Sequence, residues 1–331
     1  MSSATPVPAV QHRYGALLES CEQRLREAAQ DSAAAVAEPA LSTLRAGGKR
    51  VRPLLVFCCA PSGALEDEET RERLLDAAAA VELVHMATLV HDDLLDGATL
   101  RRGRPTVSAQ RGPAAAVQTG DFLFARAFSV LTRAGSPQAV AHLAGAALDL
   151  SQGELDQQRS AFDLDLAEAG YLARCRRKTA ALFAVACRLG AELGGAGPEA
   201  AARLAGFGEG VGMAFQIFDD ILDLAGDPAS TGKRRGTDLR DGTTTLPLIL
   251  AMAAEPALRA RIAAAAGEDA PRDAVEALCD DLAAHAGSRD ARARALAYVA
   301  TARAGALEGP VDGADVDALT EIADGVVDRY S

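Results

Sequence analysis

Two segments of the chain carry three aspartates at one spacing. Asp92-Asp93-Leu94-Leu95-Asp96 closes an apolar run, and Asp219-Asp220-Ile221-Leu222-Asp223 closes another. On a helix, residues four apart share a face, so Asp92 lies beside Asp96 and Asp219 beside Asp223, with Asp93 and Asp220 flanking. Carboxylates stacked in this way repel one another unless a cation sits between them. The donors are hard oxygens with no Cys or His set at chelating spacing, which suits Mg²⁺ bridged to a substrate phosphate. One such cluster alone reads more readily as a solvated helix end. Two copies, each leaving an apolar helix, favour the metal.

The cations are as pointed as the acids. Gly47-Gly48-Lys49-Arg50-Val51-Arg52-Pro53 is a glycine turn bearing three of them, and Arg101-Arg102-Gly103-Arg104 follows the first acidic cluster. Lys178-Thr179 lies mid-chain, and Gly232-Lys233 follows the second cluster. Arg recognises phosphate through paired hydrogen bonds, Lys through point charge. Of the 34 basic residues only Lys49, Lys178 and Lys233 are lysine, and all three fall in these segments. Arg104 reads as a surface salt-bridging residue.

The elements that must position these groups are helices. Hydrophobic residues make up 49% of the 331, aromatics only 4%, and Ala carries much of the apolar count; Ala is the best helix former. Apolar residues recur at three and four positions, as in Leu74-Leu75-Ala78-Val81-Val84, whereas runs alternating β-branched and polar residues are nearly absent. The breaks fall at glycine and proline clusters such as Gly112-Pro113 and Gly194 to Pro198. The pattern predicts an all-α fold, a single-domain bundle of about ten or more helices over residues 13–331, behind a flexible N-terminus over 1–12.

A net charge of −12 argues against nucleic acid as a partner. Cys21, Cys58, Cys59, Cys175, Cys187 and Cys279 show no C-x-x-C spacing and read as reduced, buried thiols of a cytoplasmic protein. The N-terminus has no signal-peptide pattern. The longest apolar runs are interrupted short of a membrane span, so no transmembrane segment is expected.

Taken in order, these segments resemble the trans-isoprenyl diphosphate synthase, or polyprenyl synthetase, family from about Leu41 to Leu250. The blocks are Gly-Gly-Lys-Arg-Val-Arg-Pro from Gly47, Glu82 to Asp96 with Arg101-Arg102-Gly103, Gly120-Asp121 and Gln152-Gly153-Glu154. Lys178-Thr179, Gln216 to Asp223, and Gly232-Lys233 through Thr245-Leu246-Pro247 complete the series. The resemblance implies the isoprenoid synthase fold around a central apolar tunnel, a homodimer, and condensation of an allylic diphosphate with isopentenyl diphosphate. It assigns Asp92, Asp96 and Asp219 to three Mg²⁺ ions, with Asp93, Asp220 and Asp223 supporting. Lys49, Arg52, His85 and Arg102 would bind the isopentenyl diphosphate. Arg101, Lys178, Thr179, Gln216 and Lys233 would hold the allylic diphosphate.

One position departs from the family. Many members carry Lys in Gly-Lys-x-Thr-Leu-Pro, where this chain reads Gly242-Thr243-Thr244-Thr245-Leu246-Pro247. The missing cation points to Arg234 or Arg235 as its replacement. Short-chain members place a bulky aromatic one turn before the first Asp. This chain has Ala87 and Thr88 there and Val84 a turn deeper, with Phe124 and Phe128 as candidates for a deeper stop. The expected product therefore has about twenty carbons or more, since one helical turn spans roughly one isoprene unit. The rivals are a class I terpene cyclase, disfavoured by the second D-D-x-x-D and the scarcity of aromatics, and a non-catalytic subunit of a heteromeric synthase, disfavoured by the two intact motifs.

Overall fold

The computed structural model describes residues 7–31, 33–226, 235–267 and 270–328. It is all-α. Among the described residues the β structure is one short hairpin, Leu100–Arg101 against Arg104–Pro105. The chain gathers into two compact units. One comprises Met1–Ala147, Leu182–Gly208 and Gly305–Gly325; the other comprises Leu148–Ala181, Glu209–Ala304 and Val326–Ser331. Their boundaries fall inside helices such as Pro137–Arg159 and Pro198–Ala225, so no linker marks them in the sequence.

The first unit is organised on the helix Glu68–Leu95, which ends in the first acidic motif. Asp67 caps it, accepting the Thr70 N–H at 2.9 Å, and Glu68 and Glu69 complement the positive end of the helix dipole. Its middle is buried all round: Leu74, Ala77 to Val81, Leu83, Val84 and Ala87 are each fully covered. The small alanines let neighbouring helices approach, chiefly Pro113–Thr132, Val51–Cys59 and Gly15–Gln30. At Gly120 the approach is so close that a Cβ would collide with the His91 ring. Length and composition alone would let the helix Glu68–Leu95 cross a membrane, contrary to the expectation that no apolar run is long enough. Its apolar stretch is 78% buried inside the protein, the behaviour of a core helix.

Of the stretch 1–12 expected to be loose, residues 7–12 belong to a helix, Val7–Arg13. Val10 is fully buried there, and the Gln11 side chain donates to the Lys49 carbonyl at 2.8 Å. Burial of one apolar residue and an anchoring hydrogen bond account for the order.

In the second unit the helix Glu168–Cys175 passes through a π turn, Arg176–Ala180. The helix Pro198–Ala225 ends in the second acidic motif. A short helix, Thr237–Arg240, follows it, and the helices Leu246–Ala254 and Ala286–Ala302 pack together. Leu224, Leu239, Leu248, Ile262, Val275 and Leu278 join in one apolar core beneath the motif.

Candidate active site

Asp92 and Asp93 occupy the last turn of their helix and Asp96 is its C-cap, so the helix dipole adds negative potential to three carboxylates. Asp93 is the buried member, and Arg101 grips it: the Arg101 Nε donates to Asp93 Oδ1 at 2.7 Å. Asp92 is partly exposed and Asp96 exposed. The hairpin after the motif turns on two residues of positive φ, Arg102 at 51° and Gly103 at 72°. Left-handed backbone at a non-glycine residue is strained. Here it folds Arg102 back so that its Nη1 donates to the Gly47 carbonyl.

The glycine turn is shaped around the same arginines. Gly47 has φ 78° and Arg50 φ 48°. A Cβ on Gly48 would lie 2.8 Å from Arg50 Nη1 and 3.0 Å from Arg102 Nη1, so a side chain there would push the two guanidinium ends aside. Arg50 is an internal strut, paired with Glu22 and, at 2.9 Å, with Glu82. Arg52 stacks 4.6 Å over the Phe183 ring, and burial pushes its pKa down to about 10. Its Nε is buried with no hydrogen-bond partner. Burial, then the guanidiniums of Arg52, Arg102, Arg101 and Arg50, hold His85 well below its ordinary pKa, so the imidazole is neutral near pH 7.

One pocket in this unit is lined by Gly47, Arg50, Glu82, His85, Arg101 and Arg102 among others. The structure thus brings together His85 and Arg102 from the expected isopentenyl set, and Arg101 from the allylic set. Lys49 and Arg52 lie on the adjoining turn but do not line that pocket.

Around the second motif, Asp220 is 4% exposed and doubly held. The Tyr171 hydroxyl donates to its Oδ2 at 2.6 Å, and Gln216 Nε2 donates to its Oδ1 at 2.8 Å. The Thr179 hydroxyl donates to Gln216 Oε1 at 2.6 Å, extending the chain into the π turn. Burial raises the Asp220 pKa to about 7, with the Asp219 charge adding and the Tyr171 and Gln216 hydrogen bonds opposing. Asp223 accepts the Thr237 and Asp238 N–H groups at 3.1 Å each and so anchors the returning loop. Lys178 is ion-paired with Glu154. Lys233 and Arg234 lie outside the described residues. Arg235 does not replace the missing cation: its Nη2 donates to the Leu224 carbonyl at 2.6 Å, and its Nη1 pairs with Asp280 at 2.8 Å.

Tyr171, Arg174 and Phe183 escaped the sequence reading, and Glu154 was named only within the block Gln152-Gly153-Glu154. Tyr171 stands seven residues before Lys178, the same two-turn offset that relates His85 to Asp92, and that spacing was the one available signal. Among the residues expected to set chain length, Val84 and Ala87 are fully buried, and the Thr88 hydroxyl donates back to the His85 carbonyl at 2.8 Å. The Phe124 ring lies 5.9 Å from the His91 ring, level with the motif, and Phe128 follows one turn later, partly buried.

Among the described residues, no three His, Cys, Asp or Glu side chains are grouped so as to hold a metal ion unaided. The donor set still fits Mg²⁺, which takes one or two carboxylates and completes its octahedron with water and phosphate oxygens. In each motif part of the acid is bound to the protein: Asp93 by Arg101, Asp220 by Tyr171 and Gln216, and Asp223 by backbone N–H groups.

A helical protein that closes two apolar helices with D-D-x-x-D, and sets arginines and a neutral histidine beside the first, is suited to handling a metal-bound diphosphate. The chain belongs to the polyprenyl synthetase family, whose pattern it matches over residues 33–282. It is 43% identical over 251 residues to heptaprenyl diphosphate synthase component 2 of Geobacillus stearothermophilus, covering 76% of this chain and 77% of that one. It is 38% identical to octaprenyl diphosphate synthase of Escherichia coli strain K12, over 62% of each. Its fold matches the crystal structure of polyprenyl synthase from Caulobacter crescentus CB15 complexed with calcium and isoprenyl diphosphate, at TM-score 0.89, 32% identity and 100% coverage of both chains.

Proposed function

We propose that this protein is a Mg²⁺-dependent, all-trans polyprenyl diphosphate synthase that extends an allylic diphosphate with isopentenyl diphosphate to about twenty carbons or more. The observation that supports the length is the helix beneath Asp92, which carries small Ala87 and Val84, both buried, where an aromatic would be needed to stop a short chain. Relatives that make heptaprenyl and octaprenyl diphosphates favour the longer end of that range.

In this reading Asp92 and Asp96 on one helix, and Asp219 on the other, would hold Mg²⁺. The metal would neutralise the allylic diphosphate and so help it to leave. Lys49, Arg52, neutral His85 and Arg102 would bind the isopentenyl diphosphate. Arg52 brings an unsatisfied buried N–H, and His85 brings a donor without adding to the local charge. Lys178, Thr179, Gln216 and Lys233 would hold the allylic diphosphate, with Arg101 acting through Asp93. The C=C of isopentenyl diphosphate attacks the allylic cation, and the departing diphosphate takes the proton. An apolar tunnel along the helix Glu68–Leu95 would keep water from that cation.

A homodimer working in the cytoplasm fits the family resemblance and six buried free thiols. The name of the Geobacillus relative, a second component, supports a second reading in which a different subunit is required as well. The test incubates the purified protein with Mg²⁺, isopentenyl diphosphate and farnesyl diphosphate and identifies the product. A long polyprenyl diphosphate is expected; farnesyl diphosphate left unextended while a ten-carbon geranyl diphosphate primer is carried only to fifteen carbons would sink the length assignment. Absence of product until a second subunit is supplied would select the second reading.

A further inference from the structure

Arg174, on the helix one turn before Lys178, is 5% exposed. A guanidinium that deep ordinarily meets a carboxylate, because an unpaired buried charge is strongly disfavoured. Among the described residues Arg174 is in no salt bridge. Its direct contacts are neutral: Nη2 donates to the Thr244 carbonyl at 2.7 Å, Nη1 donates to the Ser160 hydroxyl at 3.1 Å, and the guanidinium carbon lies 5.4 Å from the Tyr171 ring centroid. The carboxylate it answers is one step further, since that same Tyr171 donates its hydroxyl to Asp220.

The segment that Arg174 holds through the Thr244 carbonyl runs from Gly242 to Thr245. Residues Gly242 to Thr245 contain no cation. They are fixed by Phe162 N–H to the Gly242 carbonyl at 2.8 Å, Thr243 N–H to the Asp238 carbonyl at 2.8 Å, and the Thr244 hydroxyl to the Asp163 carbonyl at 2.8 Å. Asp238 in turn donates its N–H to Asp223 of the motif. Arg174 therefore stands where one backbone hydrogen bond secures the segment and one positive charge backs the acidic motif.

We infer that Arg174 is the positioning cation of this corner: its buried guanidinium holds the Thr243–Thr245 segment and supplies positive potential behind the second acidic motif. It is a positioning residue that touches no substrate. The inference rests on the reading of that motif as metal-binding.

The test compares Arg174→Met, Thr243→Lys and the double variant, reading turnover, the KM for the allylic diphosphate, the Mg²⁺ concentration at half-maximal rate, and the melting temperature. Arg174→Met should raise the Mg²⁺ requirement and the allylic KM about tenfold or more, the effect of roughly one lost charge contact. Thr243→Lys alone should change little, because it adds a cation beside one already present. In the Arg174→Met background it should restore turnover and Mg²⁺ requirement toward wild type while the lowered melting temperature persists. A merely structural Arg174 would not be rescued in that way. The inference fails if Arg174→Met keeps the wild-type Mg²⁺ requirement, or if Thr243→Lys restores nothing. Should Arg174→Met not fold, Arg174→Lys decides: a wild-type Mg²⁺ requirement supports the role of charge, and a tenfold rise overturns it. Asp219→Ala is run in parallel. Full activity there would overturn the metal reading itself, separately from Arg174.

Discussion

The Tyr171 hydroxyl donates to Asp220 across 2.6 Å, with both side chains buried. Asp220 is thereby committed to the protein, while its neighbour Asp219 is partly exposed. Tyr171→Phe removes one donor from a buried carboxylate, and hydrogen bonds to charged groups contribute about 1.5–3 kcal/mol. Unfolding in urea should show a loss of that order, with turnover falling as the motif loosens. Unchanged stability would mean that Asp220 does not depend on this contact.

Asp92→Ala and Asp219→Ala should each lower turnover by roughly three orders of magnitude, the scale of several kcal/mol of lost charge stabilisation. Melting temperatures should hold, because each change relieves repulsion within an acidic cluster. A variant with near-normal turnover at saturating Mg²⁺ refutes the metal assignment for its residue.

His85 is held below its unfolded pKa by burial and by Arg52, Arg102, Arg101 and Arg50. Between the depressed value and the ordinary histidine value the unfolded chain binds the extra proton, so stability rises with pH there and levels off above about 6.5. His85→Gln should flatten that rise. Melting curves from pH 5 to 7.5 that climb equally in both proteins would refute the assignment.

Ala87→Phe or Thr88→Phe places a ring one helical turn, about 5.4 Å, beneath the motif. Products should shorten toward farnesyl diphosphate with condensation retained. An unchanged product length would show that the growing tail does not run along this face.

What the sequence made legible was what spacing encodes. Two D-D-x-x-D runs on apolar helices announced the acidic motifs, and the alanine-rich periodicity announced the helices. Lateral partners were not legible. Nothing in the string ties Tyr171 to Asp220, because the partners are 49 residues apart and meet only after two helices pack. Nothing in the string singles out Arg174, since burial is a property of the packed segment and not of the residue type. The π turn at Arg176–Ala180 left no compositional trace. Arg235 looked available for phosphate until the fold gave it the Leu224 carbonyl and Asp280.

The scarcity of lysine also makes the molecule its own reporter. Amine-reactive reagents would find few side chains to modify, and every lysine falls in a segment implicated in diphosphate binding. Lys49 is exposed and Lys178 is partly covered beside Glu154, so acylation should proceed faster at the first than at the second. Peptide mapping after brief labelling would therefore read occupancy at two separate addresses on the chain, with the many surface arginines silent.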